Sequence, residues 1–259
     1  MIIISRIGEI KLNNQGCQME IVEDNGSSDI VVKFKDNYKT KVHTQYCNFK
    51  SGSVKNPYYS SVYSVGMVGT KYPRSINCKN IREYDIWNNI LERSYSLKYK
   101  KRQPSYKEVT CCEEWLNYEN FYDWLHSQPN FDKWYNNKRW AIDKDILVKR
   151  SKHYSPKTCC LVPQNVNCLF LKREAERGKY PIGVRYRDSY GFLASCHNPF
   201  TNKSEKLGSY STPENAFYFG YKPYKEGVIR QVAQIEFDAD NITEECYRAM
   251  MNYEVEIDD

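Results

Sequence analysis

The chain has 259 residues, of which 41% are hydrophobic and 27% charged, with a formal net charge of +6. No apolar run approaches the roughly 20 residues of a membrane helix, and the opening MIIISRIGEI has too short an apolar core for a secretory signal. A soluble, cytoplasmic protein is therefore expected rather than a membrane-embedded or exported one.

Ten cysteines are scattered along the chain, with adjacent pairs at Cys111-Cys112 and Cys159-Cys160 and no C-x-x-C. That pattern fits reduced thiols, with no zinc expected. Cys112, Cys159, Cys160, Cys168 and Cys196 lie in apolar or strand-like contexts, where cysteine serves as a small core residue.

Residues 1–70 alternate apolar and polar side chains. MEIV (Met19 to Val22) and DIVVKF (Asp29 to Phe34) flank Asp24-Asn25-Gly26, a strong turn signal. A small antiparallel β-module is expected, followed by a glycine-containing connector from Ser61 to Pro73.

From residue 80 the period becomes helical. REYDIWNNILERSY places Tyr84, Trp87, Ile90 and Leu91 on one face, and CCEEWLNYENFYDWLHSQ does the same for Trp115, Phe121, Trp124 and Leu125. Between them RSYSLKYKKRQPSYK, Arg93 to Lys107, holds six basic residues, no acidic one and three tyrosines. Lys100, Lys101 and Arg102 at its centre are candidate phosphate contacts with aromatic stacking partners, or else a solvated basic loop. Charge is uneven along the chain: 22 basic residues stand against 13 acidic ones over 71–179, and 1 against 8 over 237–259. The acidic end is expected to solubilise the protein or to cover the basic middle region.

AIDKDILVKRSKHYSPKTCCLVPQNVN, Ala141 to Asn167, reads as a strand, a basic loop, a second apolar strand and a helix from about Gln164 to Glu176, closed by Gly178. Three short alternating runs follow: YPIGVRYRD, YGFLASCHN and SEKLGSYS. TPENAFYFGYKPYKEGVIRQVAQ then signals a helix with Thr212 as N-cap and Pro213 at its first position, kinked or divided at Pro223. ITEECYRAMM adds a short helix before the charged end.

Two resemblances arise from these residues. Gly183-Val184-Arg185, Arg187, Gly191-Phe192, Ala194, Leu207-Gly208, Tyr210, Thr212, Glu214, Ala216-Phe217 and Tyr221 resemble the DNA-binding domain of the Apetala and ethylene-response-factor type over about 55 residues. The resemblance implies a three-stranded antiparallel sheet packed on one helix, with the sheet in the major groove of DNA. Carried over by position, Arg185, Arg187, Phe192 and Lys206 would be the DNA contacts. Phe192 stands where the family has tryptophan, and Glu205 would put an anion on the presumed DNA face.

Val109 to Phe121, Asp143-Lys144-Asp145, Tyr154-Ser155-Pro156 to Cys159, and Asn165 with Asn167 follow an order similar to HNH-type (ββα-metal) endonucleases of phages and mobile elements, including homing endonucleases. This implies Mg2+ or Mn2+ held by Asp143, Asp145 and Asn167, and a general base beside Asp143. A histidine suits that role because it titrates near neutrality, but Lys144 occupies the place, which leaves His153 as the candidate base with Asp143 and Asp145 completing the catalytic set.

The expected fold is α+β. It comprises a β-module over 1–70, an HNH-like core with preceding helices over 71–178, the sheet-and-helix domain over 179–236 and an acidic tail over 237–259. The expected function is that of a double-stranded-DNA-binding, HNH endonuclease-like protein of phage type, with metal-dependent hydrolase activity depending on His153. The alternatives are a non-catalytic DNA-binding regulator, or a protein-interaction factor such as a virion component or an inhibitor of host defence.

Overall fold

The computed structural model of the chain describes residues 5–171 and 179–258. It is an α+β protein that divides into two compact units, Met1–Leu125 and His126–Asp259. No described helix is long and apolar enough to cross a membrane.

The first unit opens with a four-stranded antiparallel sheet in the order β1 (Ile10–Leu12), β2 (Gln18–Asp24), β3 (Ile30–Phe34) and β4 (Lys41–Thr44). The expected turn joins β2 to β3: Gly26 N donates to the Asp24 carboxylate at 3.1 Å, and Gly26 takes a φ of 115°. Alternation delivers Met19, Ile21, Ile30, Val32 and Phe34 to one core, which Phe49 of α1 (Tyr46–Ser51) completes.

A two-residue pairing, β5 (Ser75–Ile76) with β6 (Lys79–Asn80), precedes α2 (Arg82–Tyr95), which buries Trp87, Ile90 and Leu91. The basic stretch is not a plain loop. Ser96 caps a short helix, α3 (Leu97–Arg102), by accepting from Tyr99 N at 3.2 Å. After β7 (Thr110–Cys111), Trp115 lies in a separate 3-10 turn, and α4 (Tyr118–Ser127) starts only beyond Asn117. The Asn117 side chain accepts from Glu119 N at 3.0 Å, which ends one helical turn and begins the next.

In the second unit, α5 (Phe131–Asn136) leads into β8 (Trp140–Asp143), and β9 (His153–Tyr154) lies in the loop that follows. β8 pairs antiparallel with β10 (Cys160–Pro163), from which α6 (Gln164–Leu169) continues directly. The rest of the helix expected to Glu176 lies outside the described residues from 172 onward. The three alternating runs become β11 (Val184–Arg187), β12 (Gly191–Asn198) and β13 (Lys203–Tyr210), an antiparallel sheet in chain order.

Thr212 accepts from Asn215 N at 3.1 Å and Pro213 opens the first turn, α7 (Pro213–Asn215), as expected. A π-helical turn over Ala216–Tyr221 then separates it from α8 (Lys222–Asp238). Pro223 is the second residue of α8, and the backbone is helical on both sides of the change from the π-turn to α8. Gly220 lets this segment approach the sheet: a Cβ there would lie 2.6 Å from Ala194 Cβ and 3.1 Å from the Tyr210 ring.

One core joins spans that sequence reading kept apart. Ile146, Cys160, Val162, Val166 and Leu169 share it with Cys196, Phe217, Ile229 and Val232, and with Ile242, Cys246, Met250 and Val255. Residues 237–258 therefore form no loose tail: α9 (Glu244–Met251) and the segment after it bury apolar side chains while presenting acidic ones outward.

Candidate nucleic-acid interface

The register of the three-stranded sheet sorts its side chains into two faces. Val184 opposes Ala194, and Ala194 opposes Gly208; this row faces the helical segment, with Ala194 and Cys196 buried. The alternate positions face away from it. Arg185 pairs with Leu193 and then Ser209, Arg187 with Gly191, Ser195 with Lys206, and His197 with Ser204. Arg185, Arg187, Lys206 and His197 are all exposed. The outer face thus presents two guanidinium groups, an ammonium and an imidazole among serines.

Two expectations are corrected by this register. Phe192 stands opposite Tyr186 and Tyr210, on the other face from Arg185 and Arg187. There it packs with Tyr186 and Tyr180 at ring-centroid distances of 5.1 and 5.2 Å. Glu205 likewise leaves the basic face: it opposes Cys196, is half-buried and accepts from Thr201 Oγ1 at 3.3 Å.

The cause is a bulge. Ala194 pairs with Gly208 but Ser195 pairs with Lys206, so Leu207 is an extra residue on β13. One extra residue reverses the parity of everything beyond it, and Gly208 absorbs the distortion at a φ of 123°. Lys206 turns outward and Glu205 inward. His197 was not singled out from the sequence; its signal was two-residue spacing from Ser195 on β12.

In the first unit, Lys101 and Arg102 are exposed on α3, and the Arg102 guanidinium lies 5.1 Å from the Tyr99 ring centre. Tyr99 and Tyr106 meet edge to face at 5.4 Å. Lys100 differs from its neighbours, because its Nζ donates to the Val109 carbonyl at 3.0 Å and so braces the segment.

The β8 loop organises its charged residues for folding. Asp143 Oδ1 accepts from Asp145 N at 2.7 Å and from Ile146 N at 2.9 Å, an Asx turn that ends β8. Burial pushes the Asp143 carboxyl up to about 6, against the pull of those two amides. Lys144 Nζ donates to Asp145 Oδ2 at 2.7 Å and to the Ser151 carbonyl at 2.8 Å, which staples the two ends of the loop. His153 is exposed, and its carbonyl accepts from Thr158 Oγ1 at 2.6 Å.

Asn165 and Asn167 lie on α6. Asn165 donates to Glu236 Oε1 at 2.5 Å and Asn241 to Glu236 Oε2 at 2.8 Å, so the buried Glu236 carboxylate ties α6 to the end of α8. Asn167 is half-buried. The HNH resemblance implies a divalent ion held by Asp143, Asp145 and Asn167. Asp143 is committed to the turn and Asp145 to Lys144, and among the described residues no three of His, Cys, Asp and Glu come together as metal ligands would.

Among the cysteines expected in the core, Cys159, Cys160 and Cys196 are buried, Cys112 is partly buried and Cys168 is exposed. Burial pushes the Cys159 thiol up to about 12.

No family model matches the chain, and no solved structure matches it. Among curated proteins it is similar to an ethylene-responsive transcription factor of Arabidopsis thaliana, 31% identical over 80 residues. That stretch covers 30% of this chain and 28% of the relative's length.

Proposed function

We propose that the chain binds duplex DNA through the outer face of the β11–β13 sheet. The observation that carries this reading is the register, which gathers Arg185, Arg187, Lys206 and His197 on one exposed face while the opposite face is packed on the helical segment. Similarity over 80 residues to a transcription factor supports it.

The physics is direct. A β-sheet or ribbon is one of the few elements that enters a major groove about 12 Å wide, and arginine pairs bidentately with guanine. Arg185 and Arg187 lie two residues apart on an edge strand, so both point the same way at about 7 Å spacing. Serines at 195, 204 and 209 add hydroxyl donors without bulk. Taken by themselves, Lys101 and Arg102 on α3 of the first unit suit phosphate contacts, which raise affinity without reading sequence.

Cleavage is not part of this proposal. Asp143, Lys144 and Asp145 are engaged in closing their own loop.

The test is fluorescence anisotropy with duplex DNA over a salt series. Each neutralised phosphate contributes about 0.9 to the slope of log affinity against log salt. Arg185→Ala with Arg187→Ala should weaken binding by more than tenfold and flatten the slope by about 1 to 2. A wild-type protein that leaves duplex DNA unbound at low salt, or a double variant that binds as tightly as wild type, would sink the reading.

A further inference from the structure

We propose that the loop between β8 and β10 is a second nucleic-acid phosphate site, held closed in the free protein by the chain's own C-terminal carboxylates. Between Ile146 and Pro163 the sequence contains Lys149, Arg150, Lys152 and Lys157 and no acidic residue. Two of these cations are met by the segment after α9. The Arg150 guanidinium lies 2.9 Å from the Glu256 carboxylate and 2.6 Å from that of Asp258. Lys149 Nζ lies 3.1 Å from Glu256 and donates to the Glu254 carbonyl at 2.6 Å, with the Tyr253 ring centre 5.0 Å away.

The carboxylate oxygens on Arg150 stand where the oxygens of a phosphodiester would bind, since a guanidinium accepts either in the same geometry. The strap is anchored at Val255, and Ile257 packs half-buried against the same core. Val255 is buried, its N–H donates to Glu226 at 2.9 Å and its carbonyl accepts from Lys222 at 2.7 Å. Beyond that anchor the Glu256 and Asp258 side chains are 48% and 66% exposed. Ion pairs so exposed are weak and screened by salt, so a polyphosphate, with many charges fixed on one backbone, displaces them. Arg150 itself takes a left-handed φ of 61° within the loop.

This inference rests on the nucleic-acid reading only for the identity of the anion, and its test separates the two. Duplex DNA of random sequence is titrated with the wild type, with Glu256→Gln/Asp258→Asn, and with that pair plus Lys149→Ala/Arg150→Ala. Each is made with Arg185 and Arg187 intact and with both changed to alanine. The strap variant should bind roughly 3- to 10-fold tighter at low salt, with a slope steeper by about 1 to 2, and the added alanines should return both to the wild-type values. Because both carboxylates are exposed and are replaced by amides, thermal melts should match the wild type.

If the strap variant gains affinity on the background lacking the sheet arginines, the loop site stands even where the sheet reading fails. Unchanged affinity and slope on the intact background overturn the loop site and leave the sheet reading untouched. A gain that survives the Lys149 and Arg150 substitutions also overturns it, because the carboxylates would then act by net charge alone.

Discussion

At the scale of single residues, the contrast between Asp143 and Arg187 separates folding from function. Asp143 is buried with its carboxyl held at about 6, above the ordinary value of 3.8, burial being the larger cause. The folded state therefore binds this proton more tightly than the unfolded chain does. The stabilisation from Asp143 is full below pH 3.8 and is lost as pH rises through about 6. Asp143→Asn keeps the oxygen that accepts from Asp145 and Ile146 but removes the charge. Urea unfolding should show the variant more stable than wild type by on the order of 1–3 kcal/mol at pH 7.5, with the difference vanishing near pH 4. Lower stability at both pH values would contradict the assignment of Asp143 as a buried turn acceptor. Phe192 and Arg187 form a second contrast. Phe192→Ala should cost about 2 kcal/mol of stability through lost ring packing and leave the salt slope of DNA binding as it was, whereas Arg187→Ala should do the reverse.

At the scale of elements, much was legible in the sequence. Period-two alternation marked β2, β3 and β11 to β13, and Asn25-Gly26 marked the first turn. Thr212 with Pro213 marked the helix start, and Pro223 marked its division. Two things were hidden. The bulge at Leu207 leaves only a glycine as its trace, yet it decides that Lys206 and not Glu205 joins the arginines. The face of Phe192 follows from parity, because a three-residue turn after Arg187 sets Gly191 opposite it. The boundaries drawn from composition also missed the shared core. Ile242, Cys246, Met250 and Val255 are interleaved with acidic residues, so charge masked a helical apolar stripe. Packing of the helical segment on the sheet makes its own prediction. Gly220→Ala should lower stability by about 1–3 kcal/mol, because the new methyl meets Ala194 and Tyr210. Gly227→Ala, whose Cβ would meet nothing within 4 Å, should raise stability by about 0.5–1 kcal/mol as a helix-interior alanine. Thermal melts of the two variants decide whether Gly220 is a contact residue: equal shifts would remove that role.

At the scale of the whole molecule, positive charge is distributed over three separate places: the outer face of the C-terminal sheet, α3, and the loop between β8 and β10. The last is paired with acidic side chains of the segment after α9. Residues 140–169 run strand, loop, strand and helix, and the charged side chains of the loop stabilise the loop itself. Lys144 illustrates this: from its position it stood in place of a general base, and in three dimensions it is the staple between Asp145 and Ser151. Chemistry was therefore less legible than architecture, because the roles of Asp143, Lys144 and Asp145 depend on hydrogen-bond partners that spacing does not reveal. In the proposed complex, DNA meets one face of the sheet and not the other. Photo-crosslinking tests it most directly, with benzoylphenylalanine placed singly at Ser209 and His197 on the outer face and at Glu205 on the inner one, each incubated with end-labelled duplex. Crosslinks are expected from Ser209 and His197 and none from Glu205; equal yields from all three positions, or a crosslink from Glu205 alone, would place DNA elsewhere.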